Sequence, residues 1–175
     1  MQLFIEQRPS PIGDMLLAWD DDGVLRVLDF VDFEPRMRKL LRLHYGECEP
    51  IQRTAPAGLA DALDRYFAGD IAAIDTIAVM TAGTDFQKSV WAALRGIPAG
   101  TTESYGGLAQ RLGCPKAVRA VGGANGANPI GIVVPCHRVI GADGSLTGYG
   151  GGLPRKKWLL AHEAAHAGPR DLFSA

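Results

Sequence analysis

A mixed α/β fold in two parts is what this 175-residue chain predicts: a small N-terminal sheet with helices, followed by a mostly helical C-terminal domain that holds a helix-turn-helix. Three observations predict it. Short apolar runs separated by turn-forming residues fill the first thirty positions, whereas helical periodicity dominates afterwards. The charge also reverses: residues 1–85 hold 8 Lys/Arg against 15 Asp/Glu, a net of −7, and residues 86–175 hold 10 against 4, a net of +6. The overall charge of −1 hides this division. A basic half is what a phosphate-contacting module needs, although two subdomains of unlike charge give the same pattern by accident.

Residues 2–8, 14–19 and 24–31 read as strands of an antiparallel sheet, with "SPIGD" and "DDDG" as turns. Residues 34–46 place Met37, Leu40, Leu41 and His44 or Tyr45 at helical spacing, and residues 56–70 repeat this with Leu59, Leu63, Tyr66 and Phe67 before Gly69. Residues 70–85 lack a period and end in "TAGTD", where Thr84 caps the next helix. The domain boundary is expected there, giving parts 1–83 and 84–175.

The second part begins with a helix that sets Phe86, Val90, Trp91 and Leu94 on one face and closes at Gly96 and Pro98. A helix from about Ser104 to Leu112, a break at Gly113-Cys114-Pro115 and a helix from about Lys116 have the form of a helix-turn-helix, a geometry that also occurs in proteins that never touch DNA. The second of these helices carries Lys116 and Arg119 near its start, then small residues including Ala120 and Gly123. Small side chains let a backbone approach a surface closely, which favours a nucleic-acid contact. After the Asn128-Pro129 turn, Ile130–Val134 reads as a buried strand that Pro135 stops. A loop of six glycines in twelve residues, 141–152, carries Tyr149. The last helix has Pro154 in its first turn and is expected to bury Leu153, Trp158, Leu159 and His162.

Cys136 follows the expected strand and precedes His137 and Arg138. A thiol is a nucleophile only as thiolate, and its ordinary pKa of about 8.5 leaves little ionised at neutral pH. His137 is the adjacent base and Arg138 a nearby positive charge. Among the acids of this half, Glu103, Asp143, Glu163 and Asp171, Glu163 on the last helix is the candidate to orient the histidine. Taken singly, each has a plainer reading: Cys136 as a small buried hydrophobe, His137 as a satisfied imidazole, Glu163 as a solvated helix charge, and Tyr105, Arg119 and Asn128 as core aromatic, surface cation and turn former. Three cysteines at wide spacing form neither a disulfide framework nor a CxxC zinc site. Residues 1–85 offer only His44 and Cys48 as soft ligands, so no metal and no cofactor is expected. With no long apolar run and with acids throughout the first thirty residues, a cytoplasmic chain without a membrane partner is expected.

The run "SYGGLAQRLG", then "KAVRAVGGANGANPIGIVVPCHRVIGADGSLTGYGGGLPRKKWLLAHE", closely resembles the O6-alkylguanine-DNA alkyltransferases, also called methylated-DNA–protein-cysteine methyltransferases, in their short bacterial form. The likeness is continuous from about Phe86 to Glu163 and looser over the N-terminal half, where "YFAGD" and "TAGTDFQ" look like the family's junction. "PCHRV" joined to an upstream "RAVG" and a downstream "GGL" and "WLL" is specific as a set.

The resemblance implies a ribonuclease-H-like N-terminal part and a direct-reversal repair activity on double-stranded DNA. Cys136 would take the alkyl group irreversibly from O6 of guanine, and from O4 of thymine, after base flipping. His137 would deprotonate it through a water, Glu163 would orient His137, and Asn128 would hold the site. Entering the minor groove, the helix-turn-helix would present Arg119 as the residue that fills the space of the flipped nucleotide, with Lys116, Ala120 and Gly123 beside it. Tyr105 would crowd the 3′ phosphate and assist the leaving group. Pro135, Val139, Tyr149 and Gly150 would wall the base pocket. A monomer, with cooperativity on DNA left open, is the implied state.

Flipping costs a few kcal/mol, which a close-fitting helix with one long cation can meet, and a repair protein reads phosphates and shape rather than base edges. Two departures from the family matter. The zinc ligands that some members carry near the N-terminus are missing, and Gly150 stands where several relatives have a hydroxyl. Cys136 argues against a non-enzymatic branch that has tryptophan at the acceptor position. Two other classes remain: a cysteine hydrolase, which would turn over, and a binding-only module, which would not need Cys136.

Overall fold

The computed structural model describes residues 1–168, and Asp171 lies outside the described residues. The fold is mixed α/β, with a small N-terminal sheet and helices preceding a mostly helical second half. Strands β1 (Leu3–Arg8), β2 (Met15–Asp20) and β3 (Leu25–Phe30) form an antiparallel meander, and β4 (Ile51–Gln52) adds to β1 in parallel, giving the order β3-β2-β1-β4. All six residues of β2 are buried, because both faces of the central strand are covered. Leu16 and Ala18 meet Met37 and Leu41 of α1 (Glu34–Tyr45), whereas Met15, Leu17 and Trp19 face the main core.

That main core is continuous across the chain. Leu59, Leu63 and Tyr66 of α2 (Ala57–Phe67), Val90, Trp91 and Leu94 of α3 (Asp85–Arg95), and Ile130–Val134 share it with the sheet. Each large apolar side chain buried in this way contributes about 1.5–3 kcal/mol. Helix α3 begins with a complete capping box: the Gln87 amide donates to the Thr84 hydroxyl, and the Thr84 amide donates to the Gln87 side chain. Phe86, expected on the buried face, is exposed, because the first turn of α3 stands clear of the core that starts at Val90.

A two-stranded parallel ladder joins β5 (Glu103–Ser104) to β6 (Val139–Ile140). Ser104 caps α4 (Tyr105–Arg111) by accepting from the Gly107 amide, and α5 (Val118–Gly126) follows after a turn. Lys116 therefore sits in the turn and not in the second helix. The final helix is α6 (Leu153–His166). Its buried face is Lys156, Leu159, His162 and Glu163, whereas Leu153 is exposed in the first turn.

The expected strand at Ile130–Val134 does not form. Only Ile130 bridges to the sheet, beside Leu28, and the rest coils into tight turns. Asn128 is the cause: its side-chain amide donates to the carbonyls of Ile130 (3.3 Å) and Val134 (2.8 Å), acceptors a ladder would have used. Ile132 pays with a left-handed backbone, φ 68°, which is unusual for a β-branched residue.

Candidate active site

The coiled segment is stitched to the N-terminal sheet. Leu28 donates its amide to the Pro129 carbonyl (3.0 Å) and accepts from the Gly131 amide (2.9 Å), which also seals part of the β3 edge. From this anchored turn the chain passes Pro135 into one turn of 3-10 helix, Cys136–Arg138. A 3-10 turn repeats every three residues, so Cys136 and His137 need not point to opposite faces as they would on a strand. Cys136 is 6% exposed and His137 is fully buried. The Cys136 carbonyl lies 3.4 Å from the side-chain amide of Asn125.

His137 Nε2 lies 2.7 Å from Glu163 Oε1, and both side chains are buried. Burial alone would raise the Glu163 pKa, but hydrogen bonding and charge from His137 and from the Arg138 guanidinium hold it far below the usual carboxylate range. Glu163 is thus an anion, Nε2–H donates to it, and the tautomer leaves the lone pair on Nδ1. Nδ1 is buried and has no hydrogen-bond partner, as a general base waiting for a proton requires. Burial pushes the His137 pKa down while Glu163 pulls it up, and the ring is neutral below the usual histidine midpoint. Burial also pushes the Cys136 thiol up; hydrogen bonding from Asn128 and the positive charges of Lys156 and Arg36 act the other way.

Arg138, expected beside the thiol as a positive charge, serves the carboxylate instead. It donates to both oxygens of Glu163 (2.9 Å each) and to the Ile97 carbonyl (2.6 Å). Sequence reading missed Lys156, which is fully buried and whose ammonium donates to the carbonyls of Val139 (2.6 Å), Thr147 (3.1 Å) and Gly148 (3.3 Å). The signal was present: Lys156, Leu159 and Glu163 repeat at i, i+3 and i+7, one face of a helix. Tyr66 was read only as core, yet its hydroxyl donates to Glu163 (2.8 Å).

Cys136 lines a narrow opening walled by Asn128, Gly131, Tyr149, Gly150, Gly151 and the Leu28–Phe30 edge. Pro135 and Val139 flank the Cys136 turn but do not line this opening. Arg36, from the N-terminal half, pairs with Asp29 and donates to the Gly150 carbonyl. Reciprocally, Arg155 of α6 pairs with Asp32 through two 2.9 Å contacts and donates to the Ile12 carbonyl (2.8 Å). These two arginines clasp the glycine loop between the halves.

The other end of the site is bare. Lys116, Val118, Arg119, Ala120, Gly123 and Gly126 are all exposed along one side of α5 and the turn before it. Among the described residues, no hydrogen bond or ion pair engages the side chain of Arg119 or Lys116. Tyr105, at the start of α4, is half-buried and donates its hydroxyl to the Thr147 carbonyl (3.0 Å), joining this surface to the glycine loop. The described residues contain no group of three or more metal-capable side chains and no helix long and apolar enough to cross a membrane.

Known proteins resemble this chain over nearly its whole length. The family model for the 6-O-methylguanine DNA methyltransferase DNA binding domain matches residues 85–165. The methylated-DNA–protein-cysteine methyltransferase of Salmonella typhimurium is 51% identical over 165 residues, covering 93% of this chain and 96% of the relative. That of Mycolicibacterium paratuberculosis is 51% identical over 160 residues, 90% of each. Among solved structures, Mycobacterium tuberculosis O6-methylguanine methyltransferase superposes with a TM-score of 0.80 at 43% identity over 98% of each chain. Mycobacterium tuberculosis OGT in complex with DNA gives 0.78 at 42% identity over 95% of each.

Proposed function

Because this chain belongs to the methylated-DNA–protein-cysteine methyltransferases, DNA-repair enzymes that move an alkyl group from DNA to a cysteine of the protein, we propose that Cys136 is its acceptor. The observation that carries this reading is the buried, unpartnered Nδ1 of His137, on the residue that follows Cys136, whose pocket lies beside the basic surface.

In the proposed step, the Cys136 proton passes through a water to His137 Nδ1, and Glu163 stabilises the imidazolium. The thiolate attacks the alkyl carbon; the S–C bond forms as the C–O6 bond breaks, and its electron pair leaves with guanine. The Tyr105 hydroxyl supplies a proton to that leaving group. Asn128 fixes the turn and eases thiol ionisation. A thioether has no ready leaving group, so each molecule reacts once.

DNA is the partner, and alkylated duplex DNA engaged through its minor groove is the proposed form. Arg119 would occupy the gap left by the flipped base, and Lys116, Ala120 and Gly123 would lie along the backbone. Tyr149 and Gly150 form the proposed surroundings of the base, which is O6-alkylguanine or O4-alkylthymine, while Pro135 and Val139 hold the Cys136 turn from behind. Labour would divide at 83/84, with residues 84–175 binding DNA and accepting the alkyl group, and the protein would act as a monomer.

Intact-mass measurement after incubation with a duplex holding one O6-methylguanine, followed by peptide mapping, tests this. One methyl group gained on the Cys136 peptide, and none with undamaged DNA, is the expected result. An unchanged mass with the lesion bound would mark a sensor; an unchanged mass with repeated loss of substrate would mark a hydrolase. A parallel O4-methylthymine duplex tests the second substrate.

A further inference from the structure

One oxygen of Glu163 is more crowded than the proposed mechanism requires. Oε1 receives His137 Nε2 at 2.7 Å, Arg138 Nη2 at 2.9 Å and the Tyr66 hydroxyl at 2.8 Å. Tyr66 is fully buried and reaches this oxygen from α2, 97 residues away in the chain. Its ring packs edge-on to Phe67 and His162 at 5.2 and 5.3 Å, so a phenylalanine would fill the same space. What the hydroxyl adds is one hydrogen bond to the carboxylate.

We propose that Tyr66 is a positioning residue for thiol activation: by donating to the oxygen that holds His137, it sets how tightly the imidazole keeps its proton. The inference rests on His137 acting as the base of Cys136. Each donor on Oε1 withdraws charge that would otherwise stabilise the imidazolium. Arg138 does so with a fixed charge that is also tied to the Ile97 carbonyl; Tyr66 does so as a neutral group whose strength depends on phenol acidity. The charged and titratable groups that face this centre are Cys136, Arg138, Lys156, Tyr149 and His162, from the 3-10 turn, α6 and the glycine loop. All of them are retained when the hydroxyl is removed.

Removing the Tyr66 hydroxyl concentrates charge on Oε1, so His137 holds its proton to higher pH. The acid limb of the transfer rate, which belongs to the coupled Cys136, His137 and Glu163 set, then moves upward by about one pH unit. A stronger donor in the same place moves it downward. If the hydroxyl serves only to anchor α2 to α6, its loss lowers the rate alike at every pH.

The test is single-turnover methyl transfer from an O6-methylguanine duplex at saturating protein, measured from pH 5 to 9 in full-length wild type, Tyr66→Phe and His137→Asn. The expected result is an acid limb in wild type, displaced upward in Tyr66→Phe and absent in His137→Asn. An undisplaced limb in Tyr66→Phe, whatever the rate, overturns the role of Tyr66 alone. Persistence of the limb in His137→Asn overturns His137 as the base, and the Tyr66 inference with it. Should Tyr66→Phe not fold, 3-fluorotyrosine placed at position 66 alone decides by the same criterion: a downward displacement supports the role and none overturns it.

Discussion

Glu163 and Arg119 are opposite charges in opposite circumstances. Glu163 is fully buried, and hydrogen bonds from Tyr66, His137 and Arg138 converge on it from two separate stretches of chain. Arg119 is exposed on α5 and, among the described residues, engages nothing. The protein completes the surroundings of its proposed acceptor thiol from its own side chains and leaves the surface proposed to meet DNA without partners. Preorganised polar groups contribute most where charge develops in a water-excluded site, whereas a nucleic-acid surface must keep its cations free to displace counterions. Damage at the first place therefore costs stability and chemistry together; damage at the second costs function alone.

The largest test of that contrast is Glu163→Ala. It leaves Arg138 buried without its anion and His137 without its anchor, so urea unfolding should show a loss of about 3–5 kcal/mol and transfer should fall more than about 100-fold. A stability loss under about 1 kcal/mol would erase the distinction. Next comes Arg119→Ala, which should slow transfer from duplex DNA by about 10–100-fold, the scale of a flipping cost of a few kcal/mol. It should leave transfer from single-stranded DNA nearly unchanged and stability within about 0.5 kcal/mol. Equal losses on both substrates would remove Arg119 from the flipping step.

A pH series sharpens the buried side. The folded-state pKa of His137 lies below its unfolded value, so the unfolded chain takes up a proton first as pH falls. Stability should then decline from about pH 6.5 downward by up to about 1.4 kcal/mol per pH unit, and His137→Asn should flatten that decline. Glu163, depressed in the fold, adds its own loss only below about pH 4.5, the window in which an unfolded carboxylate protonates. The smallest effect belongs to Lys116→Ala: a few-fold weaker DNA binding, with the slope of log affinity against log salt reduced by about 1 and no change in the melt.

The sequence made the skeleton legible where local rules decide it. Met37 and Leu41, then Leu59, Leu63 and Tyr66, repeat at helical spacing and are buried as that spacing requires. Thr84 with Gln87 and Ser104 with Gly107 mark two helix starts through side-chain chemistry that acts over three residues. The candidate site was legible as a set of residues, because Cys136, His137 and Glu163 stand within recognisable motifs. Their partners were not. Tyr66 looks like any core aromatic until α2 meets α6, and Arg138 looks like support for the thiol until the 3-10 turn swings it onto Glu163. Ile130–Val134 has strand composition, but the polar side chain of Asn128, outside the run, took its carbonyls. Periodicity alone also cannot tell whether a helix's first turn clears its neighbours, and this misplaced both Phe86 and Leu153.

The reciprocal arginines bear on how such a chain can be inherited. Arg36 carries a charge from the first half to the glycine loop of the second, and Arg155 carries one back to Asp32 and Ile12. In a recombinant that joins the first half of one relative to the second half of another, Arg155 meets whatever residue arrives at position 32, whereas Arg36 keeps Asp29 from its own half and needs only the path of the loop at position 150. Such hybrids should work only when the loop around Gly150 and the turn around Asp32 arrive as compatible types. Substitutions at Arg155 and Asp32 should then be tolerated as a pair more readily than one at a time, and the exchangeable unit is the clasp rather than either half.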